Sequence, residues 1–457
     1  MVTVSKSPVR YPPGPKGHFI LGVVPDFSRN PLSFLSRCAQ EYGDIVYLRN
    51  PLFPLYQLNH PDYIEKVRGT GNNQFVKFQT KRMLKQLIGN GLLTSEGDFW
   101  HNQRRLMQPA FHRERIAAYG EVIVTYTNRL LKTWQDGEIR DVHQDMMNLT
   151  IGIAANTLFH ADVAGQEKEI VDAITVTLEY VEARGLKNPL SLLISDWIPT
   201  SNKLRFQAAV RQLDNIIYRI IQQRRTSGED KGDLLSMLLH AQDEDGTRMT
   251  DQQLRDEVMT LLLASYEASA AALSWTWYLL SQHSEVESKL MAELQSVLNG
   301  RTPNVEDFSR LRYTEMVLME SLRLYPPAWI ATRKAIGDCE VAGYPVRAGD
   351  VFIMSQWVMH RDPRYFDLPD VFNPERWAGD LAKRLPAFAY FPFGGGPRIC
   401  LGKAFATMET VLVIATIAQK FQLKLVTDHP VIPWSTFHIL PKYGIKMQLT
   451  QRSSIQQ

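Results

Sequence analysis

The 457-residue sequence predicts a mainly α protein with a minor β part. Three observations carry that reading. Most of the chain from Phe99 onward spaces its apolar residues at a helical period, whereas β-favouring residues gather in segments 50–60 and 341–354, between proline and glycine breaks. The third is bulk: 44% hydrophobic and 10% aromatic residues can build a core that closes around a prosthetic group.

From the N-terminus, residues 1–11 are polar and lack an apolar run, so they read as neither a signal peptide nor a transmembrane anchor. A cytoplasmic protein is expected. A chain trimmed of an anchor would read the same, with Pro12-Pro13-Gly14-Pro15 as a stiff hinge left behind. Residues 1–16 and 451–457 are expected to be flexible ends. The 51 basic and 48 acidic residues give a net charge of +3 without dense Lys/Arg tracts, so no nucleic acid partner is expected. Cys38, Cys339 and Cys400 are too few, and odd in number, for a disulfide framework; they point to a reducing compartment. The charged segments 224–233 and 242–248 are expected to be surface loops. Length alone favours two or three domains.

One helix stands out. Thr250 and Gln253 fit a capping box, and the helical pattern then runs to about Gln282, roughly 30 residues or ~45 Å. Segment 259–280 is apolar on nearly every face, so it belongs in the core of a large domain or in a bilayer. Glu267 decides against lipid. A carboxylate there is costly unless it meets water or a polar partner, which points to a wet pocket or to a paired core glutamate. Ala264 and Ala268 share one face, continued by Ala271 and Ala272, smooth enough for a flat ligand or for close helix packing.

The most informative stretch is Phe391-Pro392-Phe393-Gly394-Gly395-Gly396-Pro397-Arg398-Ile399-Cys400-Leu401-Gly402. Glycines bare backbone amides, an arginine follows, and a lone cysteine precedes a helix expected over 403–419 as amphipathic. A thiol at a helix N-terminus is favoured as thiolate, below its free pKa of about 8.5, and such a sulfur can bind iron. An anion-binding glycine loop or an inert buried cysteine would also fit parts of this stretch.

Phe393, Gly396, Arg398, Cys400 and Gly402 together resemble the heme-binding signature of the cytochrome P-450 superfamily, F-x-x-G-x-R-x-C-x-G, without a mismatch. The resemblance implies heme b, with Cys400 as metal ligand pushing electron density toward O–O cleavage. It also implies that Phe393 packs beside the sulfur, Gly402 permits close approach of the macrocycle, and Arg398 meets a propionate. Glu320-Ser321-Leu322-Arg323 is similar to the family's E-x-x-R, and Asn373-Pro374-Glu375-Arg376-Trp377 to the segment that completes a buried triad of Glu320, Arg323 and Arg376. Trp100 with Arg104 matches W-x-x-x-R at one heme edge, and Arg333 matches a further propionate partner; Ala264 is counted with the heme-contacting residues. The likeness spans essentially the whole chain and implies one domain, 1–457. Its fold holds heme between the central long helix and the cysteine-ligand loop and helix.

One departure stands out. The family's oxygen-activating stretch is A-G-x-D/E-T, where this chain reads Ala264-Ser265-Tyr266-Glu267-Ala268-Ser269. The acid, Glu267, is present as a proton relay, but Ala268 cannot donate the hydrogen bond that the usual threonine gives to the oxygen being activated. Ser269 lies about 100° further round the helix, and Ser265 shares its direction unless the helix unwinds locally. Inefficient coupling with peroxide leakage, direct use of peroxide, or an alcohol supplied by water or substrate would each follow.

The segment Phe75 to Leu93 is expected to lie over the heme, with Phe75, Val76, Phe78, Leu84, Leu87 and Ile88 apolar and with Lys77, Lys81, Arg82 and Lys85 free to meet a carboxylate or solvent. Trp329-Ile330-Ala331 forms another wall. Similarity to bacterial hydroxylases of fatty acids and terpenoids implies a small lipophilic substrate. Electrons are expected from NAD(P)H through a separate partner, a ferredoxin, flavodoxin or flavoprotein reductase, docking near Lys403 and Arg398. A monomer is expected. The leading reading is a monooxygenase; a peroxide-driven or redox-neutral heme enzyme and a non-catalytic heme protein are the alternatives.

Overall fold

The computed structural model describes residues 11–69, 74–78, 81–161, 165–183, 200–242, 246 and 248–452. The central helix, Asp251–Gln282, starts as its sequence dictates: the Thr250 hydroxyl accepts from the Gln253 amide, and Gln253 Oε1 accepts from Thr250 N. It is buried along most of its length. Helices Val142–Phe159, Arg312–Leu324 and Lys403–Ala418 pack against it, and their side chains share one large core. Each Leu or Ile buried there contributes roughly 1.5–3 kcal/mol.

Lys403–Ala418 is not the amphipathic helix expected. Every residue from Met408 to Ala418 is buried, because the helix runs through the middle of this core; only its first turn, with Lys403 and Ala404, meets solvent. The small-residue face also needs correcting. Ala272 stays on the cavity side, but Ala271 packs with Trp275 against the N-terminal layer of Val23, Leu35 and Val46, so its small size serves close packing.

A five-stranded sheet forms the N-terminal side. Its order is Ile45–Leu48, Leu55–Leu58, Val351–Met354, Ala331–Ala335, Phe75–Val76. Leu55 to Leu58 pair in parallel with Val351 to Met354, and the other neighbours are antiparallel. Strands alternate their side chains, so Arg333 points into the protein while Lys334 points out. The segments read as β from sequence hold strands; Ile45–Leu48 and Ala331–Ala335 lacked comparable signals. Three further strands, Ile139–Asp141, Lys446–Gln451 and Phe421–Leu425, form a second sheet, and Pro433–Ser435 with Ile439–Pro441 makes a hairpin.

Part of each end expected to be flexible is tied to the sheets. Residues 1–10 and 453–457 lie outside the described residues, but Pro13 O accepts from Tyr47 N at 2.9 Å and Tyr11 stacks on Tyr47. At the other end Gln451 pairs with Phe421, and Arg452 N bonds Lys420 O. Backbone pairing to a sheet edge fixes residues that composition alone left loose. The segment 224–233 is an exposed loop over 228–231, as expected, but its ends are buried: helix Ser201–Ser227 buries Arg224, which donates to both Asp233 oxygens at 2.6 and 2.7 Å. Burial raises the Asp233 carboxyl, but Arg224 and Ser236 outweigh it and hold it below its ordinary value. Among the described residues, no helix is long and apolar enough to cross a membrane.

The E-x-x-R motif is a buried lock. Glu320 and Arg323 are fully buried, and the guanidinium grips the carboxylate through two bonds of 2.8 and 3.0 Å. Arg376 Nε, Trp377 Nε1 and Asn373 N also donate to Glu320, and Arg323 donates to carbonyls of His360, Pro369 and Val371. Every charge has partners, the condition under which a buried pair is tolerated. The lock fastens helix Arg312–Leu324 to the strand of chain that leads into the cysteine loop.

Candidate active site

The cysteine loop is shaped by its glycines and by His360. Gly396 has φ +66°, and a Cβ there would lie 2.1 Å from Arg68 O, so only glycine fits. Gly396 is not among the residues lining the cavity, and its backbone conformation accounts for the glycine. His360 Nε2 accepts from Phe391 N at 2.9 Å, and Cys400 N donates to Phe393 O at 2.9 Å. Burial beside Arg323 and Arg361 pushes His360 down to about 3, which keeps it a neutral acceptor.

Cys400 opens onto an interior cavity of about 570 Å³. Phe393, Arg398, Gly402, Trp100, Arg104, Arg333, Ala264, Ser265, Glu267 and Ala268 line it too, so the structure brings together every sequence-predicted site residue except Gly396. The thiol is not lowered as the helix N-terminus suggested. Burial pushes it up, against the Gly402 amide, Arg104 and Lys403, because desolvating a thiolate costs more than those groups return. A metal cation at the sulfur would supply the missing charge.

The cations are the second feature. Arg68, Lys77, Arg104, Arg333 and Arg398 all face this cavity. Burial pushes each of them down from its ordinary value, Arg68 to about 9 and Arg398 to about 10, and neighbouring cations add to the push on Arg68, Lys77 and Arg398. Arg398 pairs with Glu96, donates to Ser95 O and lies over the Trp100 ring, 3.9 Å from its centroid. Arg104 donates to Ile399 O at 3.0 Å. Among the described residues, Arg68 Nε is buried without a partner. Five cations with Glu96 as neighbouring acid form a cluster that wants anions. The two carboxylates of heme b fit that need, and Gly402 could carry a Cβ as far as the protein alone is concerned, with only Phe111 at 3.7 Å. The donors therefore fit heme b.

Arg68 and Glu96 were missed, since an arginine before Gly69 and an isolated glutamate carry no pattern. Arg398 is interior rather than a surface docking charge, whereas Lys403 is exposed. Lys77 donates to Leu93 O; Lys85 is exposed; the side chains of Lys81 and Arg82 lie outside the described residues.

On the central helix, Glu267 is buried and paired with His438 Nδ1. Neither nearby serine is spare. Ser265 donates to Leu261 O at 2.7 Å in its own helix, and Ser269 donates to Glu409 Oε2 at 2.6 Å. The helix does not unwind to free Ser265. The rest of the wall is mostly apolar: Phe78, Leu84, Ile88, Trp329 and Ile330 as expected, with Phe27, Leu178, Val181 and Phe437 in addition, and Glu182, Thr260 and Gln356 among its polar members. Phe75 and Leu87 instead fill core clusters.

The family model described as Cytochrome P450 matches residues 12–449. Cyclooctatin synthase of Streptomyces melanosporofaciens is 37% identical over 420 residues, 91% of this chain and 90% of that protein. Pentalenene oxygenase of Streptomyces avermitilis is 30% identical over 437 residues, covering 95% and 96%. In fold, the crystal structure of the cytochrome P450DA heme domain superposes with a TM-score of 0.87 at 24% identity, covering 97% of this chain and 98% of that one.

Proposed function

Since the chain belongs to the cytochrome P-450 family, whose members carry heme b and draw on an external electron donor, we propose that this monooxygenase oxygenates a lipophilic, terpenoid-like substrate. The observation that carries the proposal is one cavity lined by Cys400, by five cations and by an apolar wall. Cyclooctatin and pentalenene, in the relatives' names, support a terpenoid over a fatty acid.

Cys400 would hold the iron, and Arg68, Arg104, Arg333 and Arg398 with the Trp100 indole would hold the propionates. When bound, heme would supply dioxygen activation: with two electrons from the donor and two protons, one oxygen atom would enter a C–H or C=C bond and the other leave as water. Ala264 and Ala268, small residues on the cavity face of the central helix, would leave room for a flat cofactor against it. The apolar wall orients the substrate and excludes bulk water, which limits uncoupled chemistry. Glu267, on the cavity wall, would relay protons. An acidic donor, a ferredoxin, flavodoxin or flavoprotein reductase, would dock on the Cys400 face by exposed Lys403. One domain over 12–449, a monomer and a cytoplasmic setting complete the reading, the last supported by the unpaired Cys38, Cys339 and Cys400.

A peroxide-driven or redox-neutral reaction is the second reading, favoured by Ala268 with both neighbouring serines engaged. A reduced carbon-monoxide difference spectrum of wild type and Cys400→Ser tests the ligand: the thiolate-type band should vanish in the variant, and its survival would overturn the assignment. Turnover of a terpenoid panel with a surrogate reductase, and separately with peroxide, then separates the two chemistries.

A further inference from the structure

The loop that joins the C-terminal hairpin strands puts a histidine against the only acid of the oxygen-activating stretch. His438 Nδ1 contacts Glu267 Oε2 although the two are far apart in sequence, and both line the cavity. Among the described residues no other hydrogen bond reaches the Glu267 carboxylate; when ionised it can only accept, which puts the proton of this contact on Nδ1. Nε2 is then the ring nitrogen left to exchange a proton. The imidazole retains 13% of its side-chain exposure against 6% for Glu267, so it is the more accessible partner of the pair.

The loop is rigid where it presents this ring. Thr436 donates twice to His438 O, Trp329 Nε1 donates to Thr436 O, and Trp275 Nε1 of the central helix donates to Ile439 O. Ile439 N bonds Pro327 O. A ring held this way is a positioned partner and not a passing surface contact. Around the pair, His143 faces Glu267 from helix Val142–Phe159 and bonds Ser274, Asp141 caps that helix, and the Tyr266 phenol is its neighbour on the central helix.

We propose that His438 is the proton-handling partner of Glu267: it takes up a proton from water at Nε2 and passes the Nδ1 proton to the Glu267 carboxylate. The balance is simple. One solvent proton enters, a neutral imidazole remains, and Glu267 becomes the carboxylic acid that serves the cavity. This fits a chain in which Ala268 has no hydroxyl and Ser265 and Ser269 have spent theirs. The proposal deepens the monooxygenase reading and rests on it.

His438→Gln tests it, since glutamine can still donate to Glu267 but does not titrate. Expected are an unchanged carbon-monoxide difference spectrum, a loss of product per electron consumed of about tenfold or more, and a flattened pH profile with an altered solvent isotope effect. The double variant with Glu267→Gln should be no worse than the poorer single. Histidine nitrogen NMR of the reduced, carbon-monoxide-bound protein gives a readout independent of turnover: the His438 signal should show a protonated Nδ1 that loses its carboxylate partner in Glu267→Gln. Wild-type coupling and pH profile in His438→Gln, or an Nδ1 signal indifferent to Glu267→Gln, would overturn the proposal. A wild-type protein lacking the thiolate band would instead sink the underlying function.

Discussion

Ser269 and Glu409 join the central helix to the ligand helix through a buried hydrogen bond of 2.6 Å, one residue past the alanine that replaces the usual alcohol. Glu409 Oε1 has no partner, and burial pushes the carboxyl up to about 8, so it is neutral near pH 7. Glu257, buried behind Leu92, also sits at about 8 because of burial.

These two acids set a pH dependence. A raised folded pKa means the native protein binds more protons than the unfolded chain, so the stabilising contribution is complete below about 4.5 and is lost as pH rises through about 8. Stability should fall by up to about 1.4 kcal/mol per pH unit for each carboxyl between pH 5 and 8. Glu409→Gln should remove roughly half of that slope. Urea unfolding at several pH values measures it, and an unaltered slope would refute the assignment.

Glu320→Ala should be among the most damaging single changes. It strands Arg323 fully buried and removes the acceptor for Arg376 and Trp377, at a cost of about 3–5 kcal/mol. The yield of heme-loaded protein should collapse, and any folded fraction should unfold at lower denaturant.

Ala268→Thr places a hydroxyl on the cavity face beside Glu267. Product formed per electron consumed should rise severalfold, and peroxide released should fall in step. Simultaneous oxygen, electron and product measurements check it; unchanged coupling would remove position 268 from oxygen chemistry.

Gly91→Ala probes the loop over the cavity. Asp256 accepts from Asn90 N and Glu257 from Leu92 N, and a Cβ on Gly91 would lie 2.1 Å from Thr260 Oγ1. The clasp must then shift Leu92, a cavity wall, at a stability cost of about 1–3 kcal/mol. The ratio of regioisomeric products should change while the carbon-monoxide spectrum stays intact.

Much of the site was legible because its signals are local. The Phe393 to Gly402 stretch, the Glu320–Arg323 spacing and the Thr250 cap each lie within a few residues, where sequence pattern reflects backbone geometry. Arg68, Glu96 and His438 were illegible for the opposite reason: each becomes part of the site only when distant segments meet. Cys400 shows a different limit. Helix ends and amides do lower a thiol, but how strongly burial opposes them depends on the enclosing walls. Likewise the helix from Lys403 read as amphipathic because its partners on the far side were unknown.

The pairing of Leu55 with Val351 also has a timetable. At about 5–20 residues per second, a ribosome needs roughly 15–60 s to reach the second strand after completing the first. Throughout that interval the nascent Leu55–Leu58 strand has one hydrogen-bonding edge open and apolar side chains without a cover. Production of this protein should therefore respond to chaperone supply and to slower growth at low temperature more than its finished stability would suggest.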